Sequence, residues 1–398
     1  MNAGSGPELR VCFPLIAQIH QTYHSLPIAL QMALRHPRVE VHVACATREH
    51  LDAAQALARD CYPGAHVTFD LLALPSAIRA SIPRFGQGIV PKLAVLFGNL
   101  GYFGGFDALV VPERTTLLLR PWLRRPKLVW TRHGAGDRAR GFERDIRKFD
   151  FVLMAGDKIE RRLLEQGLIR PGHYVTGVYA KLDLVRCKPH RPLFGNGRPT
   201  ILYAPHFWRS LSSWPLVGRQ VLDFFAASDR YNLIFAPHIR LFYPPTPRKY
   251  RAFAAFEGLP HVRIDLGSTA SADMSYTLGA DLYLGDVSSQ VAEFLVRPRP
   301  CLFLNPRRTE WRGDPDYRFW ELGPVIESAA ELGEGIERAF ATHADYRAEQ
   351  AAYACDSFGA ALDEETAPRG ADATVDFLRR GRNDGNLRAR GDFQQAVE

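Results

Sequence analysis

Short apolar runs rich in β-branched residues punctuate the first half of the chain at 11–16, 39–44, 67–72, 108–111, 128–131, 151–154 and 174–176. Between several of them lie segments with apolar residues at helical spacing, at 27–35, 49–58 and 158–166. A short run bounded by turn residues reads as a buried strand, and a stripe at spacings of three and four reads as one face of a helix. Strand alternating with helix predicts a parallel, doubly wound sheet.

Periodicity stops at 188–199, where prolines and glycines replace it, and an interdomain linker is expected there. It resumes with strands at 200–203, 232–236, 262–265, 281–284, 301–304 and 324–326, and then helices at 329–340, 344–355 and 373–380. The expected class is therefore α/β, with one Rossmann-like domain over 8–190, a second over 198–380, and a central cleft lined by the carboxyl ends of both sheets. Residues 381–398 are polar and rich in Gly, Arg and Asp, a composition that predicts a disordered tail.

Composition narrows the function classes. A chain of 398 residues is long enough for two full cores, and 46% hydrophobic with 23% charged residues is ordinary for a globular protein. The net charge of +7 suits a polyanionic substrate or an anionic membrane surface. The basic pairs Arg124-Arg125, Arg161-Arg162, Arg307-Arg308 and Arg379-Arg380 are scattered rather than interleaved with aromatics on one surface, which argues against nucleic acid. The stretch 93–106 is apolar but broken by Gly98, Gly101, Gly104 and Gly105, too short for a span and better read as a buried helix and loop at the cleft. Six cysteines without a C-x-x-C pair read as buried thiols in a reducing compartment. The opening residues carry no basic-then-apolar leader pattern, so a cytoplasmic location is expected, extending to peripheral contact with the inner face of the plasma membrane.

Candidate chemistry sits where strands end. Four such ends are polar: Trp130 to Arg138, Tyr203-Ala204-Pro205-His206, Phe235 to Arg240, and Gly285-Asp286-Val287-Ser288-Ser289. Three of them carry a histidine, which as a neutral imidazole takes a proton from a hydroxyl and as a cation stabilises a phosphoryl oxygen. The fourth passes from strand to helix through two hydroxyls. That geometry is either a phosphate cradle or an ordinary N-cap. His20 and His24 follow the first strand, but the helix is expected to begin only near Pro27, which places both in an acceptor-binding loop rather than in a zinc pair. No Asp-x-Asp signature lies at a strand end, so no metal and no cofactor are expected.

In this order, the His-Gly loop, the Tyr-Ala-Pro end, the Pro-His end and the Asp-x-Ser-Ser turn resemble the CDP-glycerol glycerophosphotransferases of teichoic-acid synthesis, which have a GT-B fold. Gly177 to Asp183 is similar to a further turn of that family, and the resemblance covers roughly 107–305. It implies His133 as general base and His238 as the second catalytic histidine at the donor phosphates. It places Arg138, Ser288, Ser289 and Glu293 on the donor, with Gly134, His206, Arg240 and Asp286 completing that side and His20 and His24 on the acceptor side. Departures occur at His206-Phe207-Trp208, at Ile239 after His238, and at Tyr179-Ala180. The implied activity is transfer of a glycerophosphoryl or similar polyol-phosphoryl group from a CDP-activated donor to a hydroxyl of a lipid or glycan acceptor in cell-envelope synthesis, releasing CMP. A GT-B glycosyltransferase using a nucleotide sugar, a sugar-nucleotide 2-epimerase-like enzyme and a non-catalytic nucleotide-binding scaffold remain open alternatives.

Overall fold

The computed structural model describes residues 6–76, 91–135, 142–187, 192–243, 245–288 and 290–395, with side chains to 382. Arg138 and Ser289 lie outside the described residues.

Seven strands build the first sheet: β1 (Leu9–Leu15), β2 (Val39–Cys45), β3 (Thr68–Leu71), β4 (Ala108–Val111), β5 (Lys127–Thr131), β6 (Phe151–Leu153) and β7 (Tyr174–Val175). Six build the second: β8 (Thr200–Tyr203), β9 (Asn232–Phe235), β10 (Val262–Ile264), β11 (Leu282–Gly285), β12 (Cys301–Leu304) and β13 (Val325–Ile326). Every pairing is parallel, in the orders β3-β2-β1-β4-β5-β6-β7 and β10-β9-β8-β11-β12-β13. Each expected strand is present to within two residues.

The continuous apolar character of the central strands β4, β8, β11 and β12 follows from burial on both faces. Along β1, Val11 and Phe13 pack with Val41 and Val43 on one side, while Cys12 packs with Leu109 and Val111 on the other. In β8, Ile201 and Tyr203 face one core and Leu202 the opposite one. Each sheet reverses its winding once, between β1 and β4 and between β8 and β11. Loops leaving those strands diverge there and open a crevice.

The helices that shape the cleft are α1 (Ile19–Arg35), α2 (Arg48–Cys61), α3 (Lys92–Gly98), α4 (Gln290–Phe294), α5 (His343–Phe358) and α6 (Ala367–Gln395). Helix α1 starts eight residues before Pro27, the position where sequence reasoning began it. An internal proline removes one backbone hydrogen bond and costs about 3 kcal/mol. Burial of Tyr23, Leu26, Ile28 and Leu30 against the first sheet offsets that cost. His20 and His24 therefore stand one turn apart on a helix rather than in a loop.

Two further features depart from expectation. Helix α6 runs on to Gln395, through most of the segment whose composition reads as a disordered tail, and it returns to the first domain, where Ala367, Ala371, Val375 and Leu378 join the core under α1. Asp183 anchors this crossover: its carboxylate accepts the backbone N–H groups of Thr366 and Ala367. Cys61 at the end of α2 is also disulfide-bonded to Cys187, with the Cα atoms 5.6 Å apart, so these two are not the reduced thiols expected, whereas Cys12, Cys45, Cys301 and Cys355 are free.

Candidate functional site

Loops from the carboxyl ends of β5 and β9 meet α1 and α4 around a cavity of about 310 Å³ between the domains. His20, Gln21, His24, Arg132, His133 and Gly134 line it from the first domain, with Lys181 at the floor. Phe207, His238, Arg240, Gln290 and Glu293 line it from the second. A larger cavity of about 570 Å³ behind the hinge is walled mainly by Leu182, Leu184, Val185, Leu193 and Leu278 and has no imidazole in its lining. The smaller cleft is where titratable groups converge, and such convergence marks working sites.

His133 follows β5 directly. Its Nδ1 lies 2.5 Å from the Pro112 carbonyl oxygen, which fixes the tautomer: Nδ1–H donates and the Nε2 lone pair faces the cleft. Gln21 Nε2 lies 3.4 Å from that Nε2. The ring is accessible from the cleft mouth yet enclosed by the walls of both domains. Desolvation is the main cause that lowers its pKa to about 4, opposed by the Pro112 bond and helped by Arg132, Lys92 and Arg114. Gly134 turns the chain away at φ 82°, a conformation that disfavours any side chain.

His20 and His24 are held well below the ordinary imidazole pKa, again chiefly by burial. The His24 ring lies 6.1 Å from that of His133 and edge-on to Tyr179 at 5.1 Å. His20 Nδ1, Gln21 Oε1 and Gln290 Oε1 are buried with no hydrogen-bond partner among the described residues. A buried polar atom without a partner costs about 1–3 kcal/mol. Three of them lining one cavity indicate a surface shaped for a polar ligand. Among the described residues no group of three or more His, Cys, Asp or Glu is placed to hold a metal ion.

On the second domain, His238 Nδ1 accepts the Arg240 N–H at 3.2 Å, and its ring packs on Phe207 at 4.4 Å. The Arg240 guanidinium covers the other aromatic contact, 4.3 Å from the Phe207 centroid. His206 lies behind this layer, 1% exposed, with Nδ1 accepting the Trp208 N–H. It supports the wall and does not line the cavity.

The Asp286 turn departs most from its expected role. Its carboxylate accepts the His206 N–H at 2.8 Å, the Ser213 N–H at 2.6 Å and the Ser213 hydroxyl at 2.8 Å. Asp286 thus ties the β8 loop to the β11 loop across the switch point. Ser288 Oγ accepts the Gln290 N–H at 3.3 Å, a local turn bond just before α4. Glu293 does line the cavity, but both of its oxygens bind Lys181 Nζ and one also accepts the Tyr179 hydroxyl.

The fold brings His133, His238, Gly134, Arg240, Glu293, His20 and His24 together around one cleft, and adds Gln21, Arg132, Lys181 and Gln290 to its lining. Lys181 stood inside the quoted Gly177 to Asp183 turn, and Gln290 directly follows the serine pair. The other two had no signal beyond adjacency to His20 and His133.

No protein-family profile and no curated protein sequence matches the chain. Solved structures do. The wall teichoic acid polymerase TagF superposes with a TM-score of 0.62 at 13% identity, covering 94% of this chain and 89% of that one. A UDP-N-acetylglucosamine 2-epimerase from Neisseria meningitidis, bound to UDP-GlcNAc, gives 0.55 at 12% identity over 93% and 99%. An enzyme from Listeria monocytogenes described as a UDP-N-acetylglucosamine 2-epimerase gives 0.59 at 14% over 94% and 97%. With its two parallel sheets, this chain has the GT-B fold of these neighbours.

Proposed function

We propose that the protein is a nucleotide-dependent transferase that moves a glycerophosphoryl or similar polyol-phosphoryl group from a CDP-activated donor to a hydroxyl of a lipid or glycan acceptor. The observation that carries this reading is His133, an imidazole kept neutral and tautomer-locked by Pro112, whose Nε2 faces a basic cleft with only the long contact to Gln21 upon it among the described residues. Among the described residues Arg132 and Arg240 line that cleft beside the Lys181–Glu293 ion pair, and their charge attracts phosphates.

In the proposed reaction the acceptor hydroxyl attacks the β-phosphorus while His133 Nε2 takes its proton. The bond from the β-phosphorus to the bridging oxygen breaks, and CMP leaves with the electron pair. His238 and Arg240 stand on the donor side and neutralise the charge that develops on the phosphates. Positioning of two substrates by two domains supplies much of the remaining acceleration.

Likeness to the 2-epimerases favours a second reading, in which a nucleotide sugar is the substrate and its sugar is converted without an acceptor. Incubation with CDP-glycerol, CDP-ribitol, UDP-GlcNAc and CMP-sugars, with chromatographic detection of free nucleotide, separates the two. Acceptor-dependent CMP release supports transfer. Conversion of UDP-GlcNAc with no acceptor present would replace it with epimerisation.

A further inference from the structure

Leu93, Phe97, Leu118 and Trp122 are large apolar side chains left 51%, 43%, 51% and 57% exposed. Leu93 and Phe97 are four apart on the outer face of α3. Leu118 and Trp122 are four apart at the end of the 3-10 turn Thr115–Leu119. The Phe97 and Trp122 rings meet edge to face at 5.2 Å, joining the two pairs into one surface. Their inward neighbours Val95, Leu96, Leu117 and Leu119 are buried in the first domain's core and anchor both elements. The outward set therefore contributes little to the fold.

The segments 92–98 and 114–125, which carry this surface, hold Lys92, Arg114, Arg120, Arg124 and Arg125 and no Asp or Glu. Arg114, Arg120 and Arg125 pair with carboxylates brought from elsewhere. Lys92 and Arg124, which flank the apolar residues in sequence, have no ion pair among the described residues. The surface also adjoins the cleft. The turn at Thr115 starts three residues after Pro112, whose carbonyl holds His133, and Lys92 is near enough to act electrostatically on His20 and His133.

We infer that this face of the first domain docks onto an anionic lipid bilayer, with Phe97 and Trp122 seated at the headgroup level and the cleft mouth turned toward the membrane. Exposed Trp, Phe and Leu beside cations form the pattern of an interfacial anchor, in which apolar insertion and attraction to anionic lipid add. No helix of the described residues is long and apolar enough to cross a membrane, so attachment of this kind would be peripheral. Docking in this orientation would present a lipid-borne hydroxyl to the acceptor side of the cleft.

The test is co-sedimentation of the full chain with phosphatidylglycerol/phosphatidylcholine vesicles and with phosphatidylcholine vesicles alone, without donor or turnover, so it stands apart from the proposed reaction. Wild type should sediment with the anionic vesicles, and Phe97→Ser with Trp122→Ser should lower its partitioning by roughly 30-fold or more. Lys92→Gln with Arg124→Gln should lower it about tenfold at low salt and less at high salt. Both double variants should keep the wild-type thermal midpoint. Wild type staying in the supernatant, or the Phe97/Trp122 variant sedimenting unchanged, overturns the inference. So does a wild-type dimer in sizing chromatography that this variant makes monomeric, since the patch would then bind a second copy of the chain.

Discussion

Lys181 Nζ lies 2.7 and 2.8 Å from the two carboxylate oxygens of Glu293, and this ion pair ties the end of the first domain to α4 of the second across the floor of the cleft. Both side chains are nearly out of solvent, at 7% and 10% exposure. Removing one partner leaves an uncompensated buried charge, at a cost of about 3–5 kcal/mol. Lys181→Met should therefore destabilise the protein by that amount in chemical denaturation. Lys181→Met combined with Glu293→Leu should cost less than the sum of the two single changes. A single variant unfolding at the wild-type midpoint would remove the pair from the list of elements holding the domains together.

His133 yields a pH prediction with a definite sign. Its pKa lies near 4, so the neutral base is the dominant form at every pH above that. In the proposed transfer, kcat/KM should be flat from pH 6 to pH 8 on its acid side and should fall only as pH approaches 4. His133→Gln should lower the rate about a hundredfold to ten-thousandfold while leaving donor binding within a fewfold. An acid limb centred near 6.5 would assign the base to another group.

The sheets were legible in the sequence because their central strands are buried on both faces and so read as bounded apolar runs, as in Val110-Val111 or Leu202-Tyr203. The start of α1 was not, because Pro27 is a local helix-breaking signal and the burial that overrides it comes from β1 and β2, far away in sequence. Histidines at strand ends pointed to the cleft that His133 and His238 share. What individual side chains do there was less legible, since Asp286 and Ser288 turn inward to satisfy backbone donors that only the folded loops bring near. An Asp-x-Ser-Ser string is the same whether its oxygens meet phosphate or N–H groups.

Cys61 and Cys187 join the end of α2 to the last residues before the linker, across 126 positions of sequence. Closing a loop of that length removes conformational freedom from the unfolded chain worth up to about 5 kcal/mol in the chain-entropy account. Cys61→Ser with Cys187→Ser should lower the denaturation midpoint of protein purified under oxidising conditions. The same variant should match wild type in excess dithiothreitol. Equal stability in both conditions would show that the bond adds nothing to the folded protein.

Gly156 marks where the second domain's last helices press on the first. A Cβ placed there would stand 2.6 Å from the carbonyl carbon and oxygen of Ser357 at the end of α5, and 2.7 Å from the Asp356 oxygen. These are backbone atoms, so no side-chain rotation can relieve the contact. Arg161 also pairs with Asp356 and Lys158 packs over the Tyr353 ring, which fixes the same helix from two more sides. Overpacking in such a place costs about 1–3 kcal/mol. Gly156→Ala should therefore lower the thermal midpoint by several degrees, whereas a Cβ at Gly134 meets no atom of the described residues within 4 Å, and Gly134→Ala should be strained through its backbone angle. If Gly156→Ala melts like wild type, α5 is free to move away from the first domain, and the domains can open at that side without cost.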